Sequence, residues 1–146
     1  MTEIKETRLL IENAVKLHGH LGPFLVIGVR MGEIAKRHLK VDEENSRELH
    51  ANIRIPLSTP FSCVIDGIQA TTSCTVGNQK LKIEKSMKEI TARFKLQSSD
   101  KTVKVSVNPK LVKNLTEEMS RGTDSEQLAA KIAHLKEEQL FVLEEQ

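Results

Sequence analysis

The stretch Pro60–Asn78, PFSCVIDGIQATTSCTVGN, differs in composition from the rest of the chain. Asp66 is its only charged residue, although charged residues make up 29% of the whole sequence. Two thiols, one carboxylate and several hydroxyl and amide groups therefore stand in an otherwise apolar frame. Because buried polar groups need hydrogen-bond partners, this composition indicates a buried or cleft-lining polar site and not a solvated loop.

The spacing within this stretch predicts a helix that begins near Cys63. Cys63, Asp66 and Gln69 stand three residues apart and would share one face of that helix. The pair Gly77-Asn78 is typical of a turn that ends a helix. The β-branched residues of the stretch have a low helix propensity, which argues against the helix. The shared face nevertheless makes it the better interpretation.

A second unusual stretch is HGHLGPF, residues 18–24. Two histidines one residue apart cannot lie on one face of a helix, but at a helix end followed by glycine they can surround one point. Imidazole is a common ligand for zinc, nickel or iron, and it is also the usual general base. The alternative interpretation is that one histidine, His18, caps a helix C-terminus, whose dipole stabilises a protonated ring, while His20 is exposed.

The remaining sequence predicts helices and strands around these two stretches. Apolar periodicity and turn signals predict helices over residues 3–18, 23–39, 109–119 and 125–136, and strands over 48–56, 81–84, 89–96, 102–107 and 140–143. This order indicates one α+β domain over residues 1–146, with N-terminal helices packed on a mostly antiparallel sheet and helices again at the C-terminal end. Gly28 and Gly32 lie on one face of the second helix, so another backbone could pack there, including one across a subunit contact.

Composition limits the classes of function. The net charge of +2, the absence of Trp and Tyr and the lack of a dense basic run argue against binding to nucleic acid. No run approaches the length of a membrane span, and the first ten residues have no apolar signal segment. We therefore expect a cytoplasmic protein that binds neither nucleic acid nor membranes, and in that compartment no disulfide is expected between its two cysteines.

The two cysteines themselves allow two interpretations. Free cysteine is among the residues most often buried as a small apolar side chain. A thiol that stands with a carboxylate and an amide at helical spacing, as Cys63 does with Asp66 and Gln69, is a costly choice for a core. That setting indicates a metal thiolate ligand, or a nucleophile that a nearby histidine activates.

Together, the two stretches resemble the FmdE family, which takes its name from a component of formylmethanofuran dehydrogenase. The resemblance rests on HGHLGPFLVIGVRMGEIA at residues 18–35 and on CVIDGIQATTSCTVGNQKL at residues 63–81. It implies an α+β core that forms homodimers, and a link to the one-carbon chemistry of methanogenesis. The zinc finger that some members add at the C-terminal end is not expected, because no cysteine follows Cys74. One departure is Gly22, where many relatives have a cysteine.

The resemblance further implies that the HGH turn and the cysteine-containing helix form one cleft. Nitrogen and sulfur ligands suit zinc, with nickel or iron as alternatives. Asp66 would orient a small molecule or a water in that cleft. The expected metal ligands are His18, His20, Cys63 and Cys74, and the residues expected to bind a small molecule are Gln69, Thr72 and Asn78.

Three functions remain open from the sequence. The first is a homodimer that binds a divalent metal and a small molecule, from one-carbon or pterin metabolism. The second is a non-catalytic accessory subunit, or a metal or cofactor carrier, that docks on a larger redox enzyme. The third is a metal-free thiol enzyme with Cys63 as nucleophile, His20 as base and Asp66 as the third catalytic residue.

Overall fold

The computed structural model describes residues 2–146, with side chains from Lys5 onward. Each predicted helix and strand forms, most of them with ends within a residue or two of the expected positions. No helix in the described range is long and apolar enough to cross a membrane. The elements are α1 (Thr2–His18), α2 (Pro23–His38), a 3-10 turn (Ser46–Glu48), β1 (Leu49–Ile55), α3 (Cys63–Thr72), β2 (Leu81–Lys85), β3 (Thr91–Leu96), β4 (Thr102–Val107), α4 (Pro109–Ser120), α5 (Ser125–His134), α6 (Glu137–Leu140) and β5 (Phe141–Glu145).

The five strands form one mixed sheet in the order β2-β1-β3-β4-β5. β1 and β2 are parallel, whereas the other neighbouring strands are antiparallel, so the predicted α+β fold with a mostly antiparallel sheet is confirmed. Parallel neighbours need a crossover connection, and here α3 lies on it. The sequence pattern did not predict this single βαβ unit.

The core lies between one face of the sheet and the helices. Alternate residues of β1 and β4 are buried, and the residues between them are partly or fully exposed. α2 packs against α3 and α5, and its first half is buried throughout, as its apolar run predicts. α1 lies on the outer side of α2 and α3, where Ala14, Leu25 and Val29 form a second, smaller apolar cluster.

α2 and α3 cross at glycines, where their backbones touch. A Cβ added at Gly28 would collide with the carbonyl oxygen of Val64, and one added at Gly67 would collide with that of Leu25. Gly32 faces α3 in the same way. The expectation that Gly28 and Gly32 could face a subunit contact is therefore wrong, because α3 of the same chain covers this surface.

α3 ends earlier than the sequence pattern predicts. Its last residue is Thr72, and Ser73 adopts a left-handed conformation with φ of 59°. The N–H of Ser73 donates to the carbonyl oxygen of Gln69 at 2.9 Å, which closes the final turn. The predicted stop at Gly77-Asn78 is therefore wrong, and the residues after Ser73 belong to a loop.

Candidate functional site

The HGH turn forms where α1 ends. α1 includes His18, and Gly19 follows with φ of 104°, a conformation that favours glycine. The Gly19 N–H donates to the carbonyl oxygen of Val15 at 2.7 Å. The turn brings the rings of His18 and His20 edge to face, with centroids 4.8 Å apart. His18 is largely buried, whereas His20 is exposed.

A hydrogen-bonded chain links this turn to α3. His18 Nδ1 contacts Asp66 Oδ2 at 2.7 Å. Gln69 Nε2 donates to Asp66 Oδ1 at 3.1 Å, and Gln69 Oε1 accepts from the backbone N–H of Val76 at 3.2 Å. Both oxygens of the carboxylate are therefore held, and Asp66 and Gln69 share one face of α3 as their spacing predicts. The part played by Val76 could not be predicted, because a backbone donor leaves no residue-type signal.

The contact with Asp66 determines what His18 can offer a ligand. A carboxylate accepts hydrogen bonds, so Nδ1 donates and the neutral ring keeps its lone pair on Nε2. Within the described part of the chain, Nε2 has no hydrogen-bond partner. The imidazole is thus fixed in position and has one free nitrogen that can bind a metal ion or accept a proton.

Cys63 begins α3, one helical turn before Asp66 on the same face. Its thiol is free and half-buried, against the edge of the core. Burial, and after it the charge of the Asp66 carboxylate, raise the pKa of Cys63. The protonated thiol is a poor nucleophile, so this environment gives no support to the metal-free thiol enzyme.

The structure does not bring Cys74 to the same place. Cys74 lies beyond the C-terminal end of α3, is 1% exposed, and donates from Sγ to the carbonyl oxygen of Leu49 at 3.2 Å. Burial raises its pKa as well. The ten residues of α3 separate the two thiols by about 15 Å, whereas two zinc-bound sulfurs each lie about 2.3 Å from the ion. Cys74 is a core residue in this fold.

Thr72 and Asn78 shape the loop after α3. Thr72 Oγ1 donates to the carbonyl oxygen of Ile68 at 2.7 Å and accepts from the N–H of Cys74 at 3.1 Å. Asn78 Nδ2 donates to the carbonyl oxygen of Ser73 at 2.7 Å, and its Oδ1 accepts from two backbone N–H groups of the same loop. Both side chains are thus used locally, at the end of α3 that is remote from Cys63.

The donors around the HGH turn do not form a complete metal site by themselves. Across residues whose side chains the structure describes, no group of three or more His, Cys, Asp or Glu is arranged to hold a metal ion. Two imidazoles in contact, one fixed by a carboxylate, are what the chain offers at this surface. Any ion bound there needs at least one more donor, from a reoriented side chain, a ligand or a second subunit.

Comparisons with known proteins give the same relationship by sequence and by fold. A family model described as "FmdE, Molybdenum formylmethanofuran dehydrogenase operon" matches residues 17–143. The crystal structure of an FmdE-like protein of tungsten formylmethanofuran dehydrogenase, from Syntrophus aciditrophicus, is similar in fold, with a TM-score of 0.63. The two sequences are 20% identical, and the match covers 95% of this chain and 71% of that one.

A curated relative is similar in sequence over part of the chain. It is described as a "Probable S-adenosyl-L-methionine-binding protein" from Archaeoglobus fulgidus and is 40% identical over 77 residues. That match covers 53% of this chain but spans only 20% of the relative's length. The ligand in that description therefore concerns a much longer protein.

Proposed function

This chain belongs to the FmdE family, and from that premise we propose that it binds one divalent metal ion, zinc in the first instance, together with a small molecule. The contact between His18 Nδ1 and Asp66 Oδ2 carries the proposal. Histidines that bind metals almost always donate their other ring N–H to a carboxylate, a carbonyl or a water, which orients the ring and raises the basicity of the ligating nitrogen. His18 Nε2 would be the first ligand.

His20 and Cys63 would complete the protein's share of the coordination. His20 already contacts the His18 ring, and Cys63 lies on the same face of α3 as Asp66. Two imidazoles and one thiolate are nitrogen and sulfur donors of the kind that zinc prefers, and catalytic zinc sites keep a further position open for water or substrate. A metal bound there would polarise a carbonyl or activate a water. Asp66 and Gln69 would hold His18 in place.

The small molecule is proposed to belong to one-carbon or pterin metabolism, because the family description refers to a formylmethanofuran dehydrogenase operon. S-adenosyl-L-methionine, from the description of the Archaeoglobus relative, is one further compound to screen. The proposal also includes a homodimer in the cytoplasm. Both cysteines are free, which suits a reducing compartment, and a second subunit could supply a donor beside the exposed His20.

The test is metal content by inductively coupled plasma mass spectrometry on protein purified without a His tag. We expect about one zinc per chain in the native protein, and loss of that zinc in His18→Ala and in Cys63→Ser. Asp66→Asn keeps the size of the side chain but loses its charge, so it should weaken metal binding roughly 10- to 100-fold. His134→Ala is the matched control, because His134 lies on α5 and its Nδ1 bonds to its own helix.

The opposite result is equally clear. Native protein that contains no metal, and binds neither zinc, nickel nor iron at micromolar concentration, would remove the metal proposal. Metal that stays bound after His18→Ala would move the site away from the HGH turn.

An accessory subunit is the second candidate, and one surface favours it. Met87 is 90% exposed, and Leu57 and Val142 are more than half exposed; Met87 and Val142 line a groove of about 880 Å³ that also includes Phe61. Exposed apolar surface of this kind marks interaction sites. Purification from native extract under mild conditions tests it. A larger redox complex that contains this chain would support the accessory role, whereas an isolated dimer would count against it.

A further inference from the structure

The solvent-facing side of the sheet collects positive charge from separate strands. β1 residues that alternate with its buried ones, such as His50 and Asn52, lie on this side. Register places Asn52 beside Lys82 on β2 and beside Arg93 on β3. It also places His50 beside Lys95 on β3. Neighbouring strands are about 4.8 Å apart, so Lys82 and Arg93 flank Asn52 across roughly 10 Å.

These cations are not neutralised by the protein. In the portion of the chain with described side chains, Lys82, Arg93 and Lys95 form no ion pair, and the Nε of Arg93 donates to a neutral oxygen, Gln146 Oε1, at 3.2 Å. The acidic residues near this face lie toward its margins. Glu84 pairs with Arg54, and Glu144 lies opposite Lys104.

The same residues surround a depression of about 360 Å³. Its lining includes four lysine or arginine residues and one histidine, and no aspartate or glutamate among the described residues. Side-chain amides stand between the cations and can donate further hydrogen bonds. The cations are Lys80, Lys82, Arg93 and Lys95, with His50 beside them, and the amides are those of Asn52, Gln79, Gln97 and Gln146.

We propose that this depression binds a small phosphorylated molecule that carries two or more phosphate groups. Lys82 and Arg93 would approach one phosphate from the two sides of Asn52, and Lys95 and Lys80 would bind the next. Hydrogen bonds from lysine and arginine to phosphate are charge-assisted and are about twice as strong as neutral ones. The volume lies within the range of small-molecule sites. The sheet separates this site from the His18–Asp66 surface, which lies among the helices.

A nucleic-acid strand fits these observations less well. Proteins that hold single strands combine basic grooves with aromatic side chains on which the bases stack. Three of the four phenylalanines, Phe24, Phe94 and Phe141, are buried, and the fourth, Phe61, is not among the residues that line the depression. The acidic residues Glu84 and Glu144 also limit the length of the basic surface.

Binding of inorganic tripolyphosphate tests the proposal, measured by isothermal titration calorimetry at about 0.15 M NaCl, where exposed charges are substantially screened. We expect the native protein to bind it, and Arg93→Gln/Lys95→Gln to bind it at least about tenfold more weakly. Lys110→Gln/Lys131→Gln removes the same charge from exposed positions on α4 and α5, and should bind within about twofold of native. Thermal melting checks that both double variants are folded.

Three results would overturn the proposal. One is native protein that shows no binding when it is titrated to millimolar tripolyphosphate. Another is an equal loss of affinity in both double variants, which would indicate attraction by net charge alone. The third is a single-stranded oligonucleotide that binds more tightly than tripolyphosphate and loses affinity in Arg93→Gln/Lys95→Gln, which would make this a nucleic-acid surface instead. Metal content measured on the same variants should equal that of native protein, so failure here stays separate from failure of the metal proposal.

Discussion

At the scale of single residues, the two thiols differ in what they contact. Cys63 lies at the first turn of α3 with part of its side chain in solvent, beside the Asp66 carboxylate. Cys74 is enclosed in the core and bonds to the carbonyl oxygen of Leu49. Reactivity of a cysteine depends on access and on the fraction of thiolate, and access in particular differs between the two positions.

Alkylation with iodoacetamide should therefore distinguish them in metal-free protein. We expect Cys63 to react slowly at pH 7 and faster as the pH rises past the ordinary range for a thiol, because burial and Asp66 raise its pKa. Asp66→Asn removes the repelling charge and should shift the pH profile downward. Cys74 should be modified only after unfolding in urea. Peptide mapping by mass spectrometry identifies the labelled residue, and rapid labelling of Cys74 in native buffer would contradict the core assignment.

The candidate site was predictable where spacing or family pattern carried it. Asp66 and Gln69 share a helix face because they stand three residues apart, and the HGH pattern marked His18 and His20. The bond between His18 and Asp66 joins residues 48 apart in sequence, so it depends on how α1 packs against α3. The buried position of Cys74 depends on where α3 ends, and α3 ends at a serine in a left-handed conformation that no residue-type rule predicts.

At the scale of elements, the crossing of α2 and α3 positions the site. α3 carries Cys63 and Asp66, and its approach to α2 is as close as two backbones allow, because both helices have glycine at the crossing. Any side chain at Gly28 or Gly67 would push α3 outward. The distance between Asp66 and the HGH turn would then increase.

Gly28→Ala should thus destabilise the protein and weaken the site together. Added atoms in a packed interface typically cost about 1–3 kcal/mol, and about 3 kcal/mol is expected here because the neighbour is backbone. Gly77→Ala is the control, since the nearest atom to its new Cβ is Thr75 Oγ1 at 3.8 Å and its φ is not left-handed. It should change stability by about 0.5 kcal/mol or less. Urea unfolding measures both, and equal effects would mean that the crossing tolerates a methyl group.

The elements themselves could be predicted because each depends on local pattern. The alternation of Val103, Val105 and Val107 predicted β4 with its observed ends. The pairing of strands could not be predicted in the same way, because the parallel neighbours β1 and β2 are joined by a helix and two loops. Pairing depends on contacts between distant residues, which periodicity does not report.

At the scale of the whole molecule, buried charge joins the helical layers. Glu33 on α2 is half-buried, and Thr7 Oγ1 donates to its two carboxylate oxygens at 2.9 and 3.1 Å, which links α2 to α1. Arg30, one turn earlier, donates to the carbonyl oxygens of Ile132 and Leu135 and so links α2 to α5. Unfolding of the layers therefore exposes an acid and a base that burial disfavours in their charged forms.

Glu33 makes the stability of the fold depend on pH. Burial raises its pKa above the unfolded value, and the bond from Thr7 and the charge of Arg30 only partly offset this. A raised carboxyl pKa contributes stability that is complete below the unfolded pKa and is lost as the pH rises through the folded pKa. Glu33→Gln keeps an acceptor for Thr7 but removes the titration. The free energy of unfolding of native protein minus that of Glu33→Gln should therefore fall as the pH rises from about 4 toward 7.

Urea unfolding across this pH range measures the difference. The exposed Glu43→Gln, which also removes one carboxylate, is the matched control for a change in net charge. A native-minus-variant difference that grows with pH would mean that Glu33 is stabilised as a carboxylate by Arg30. The charge would then hold α2 to its neighbours, and burial would not be the larger effect at this position.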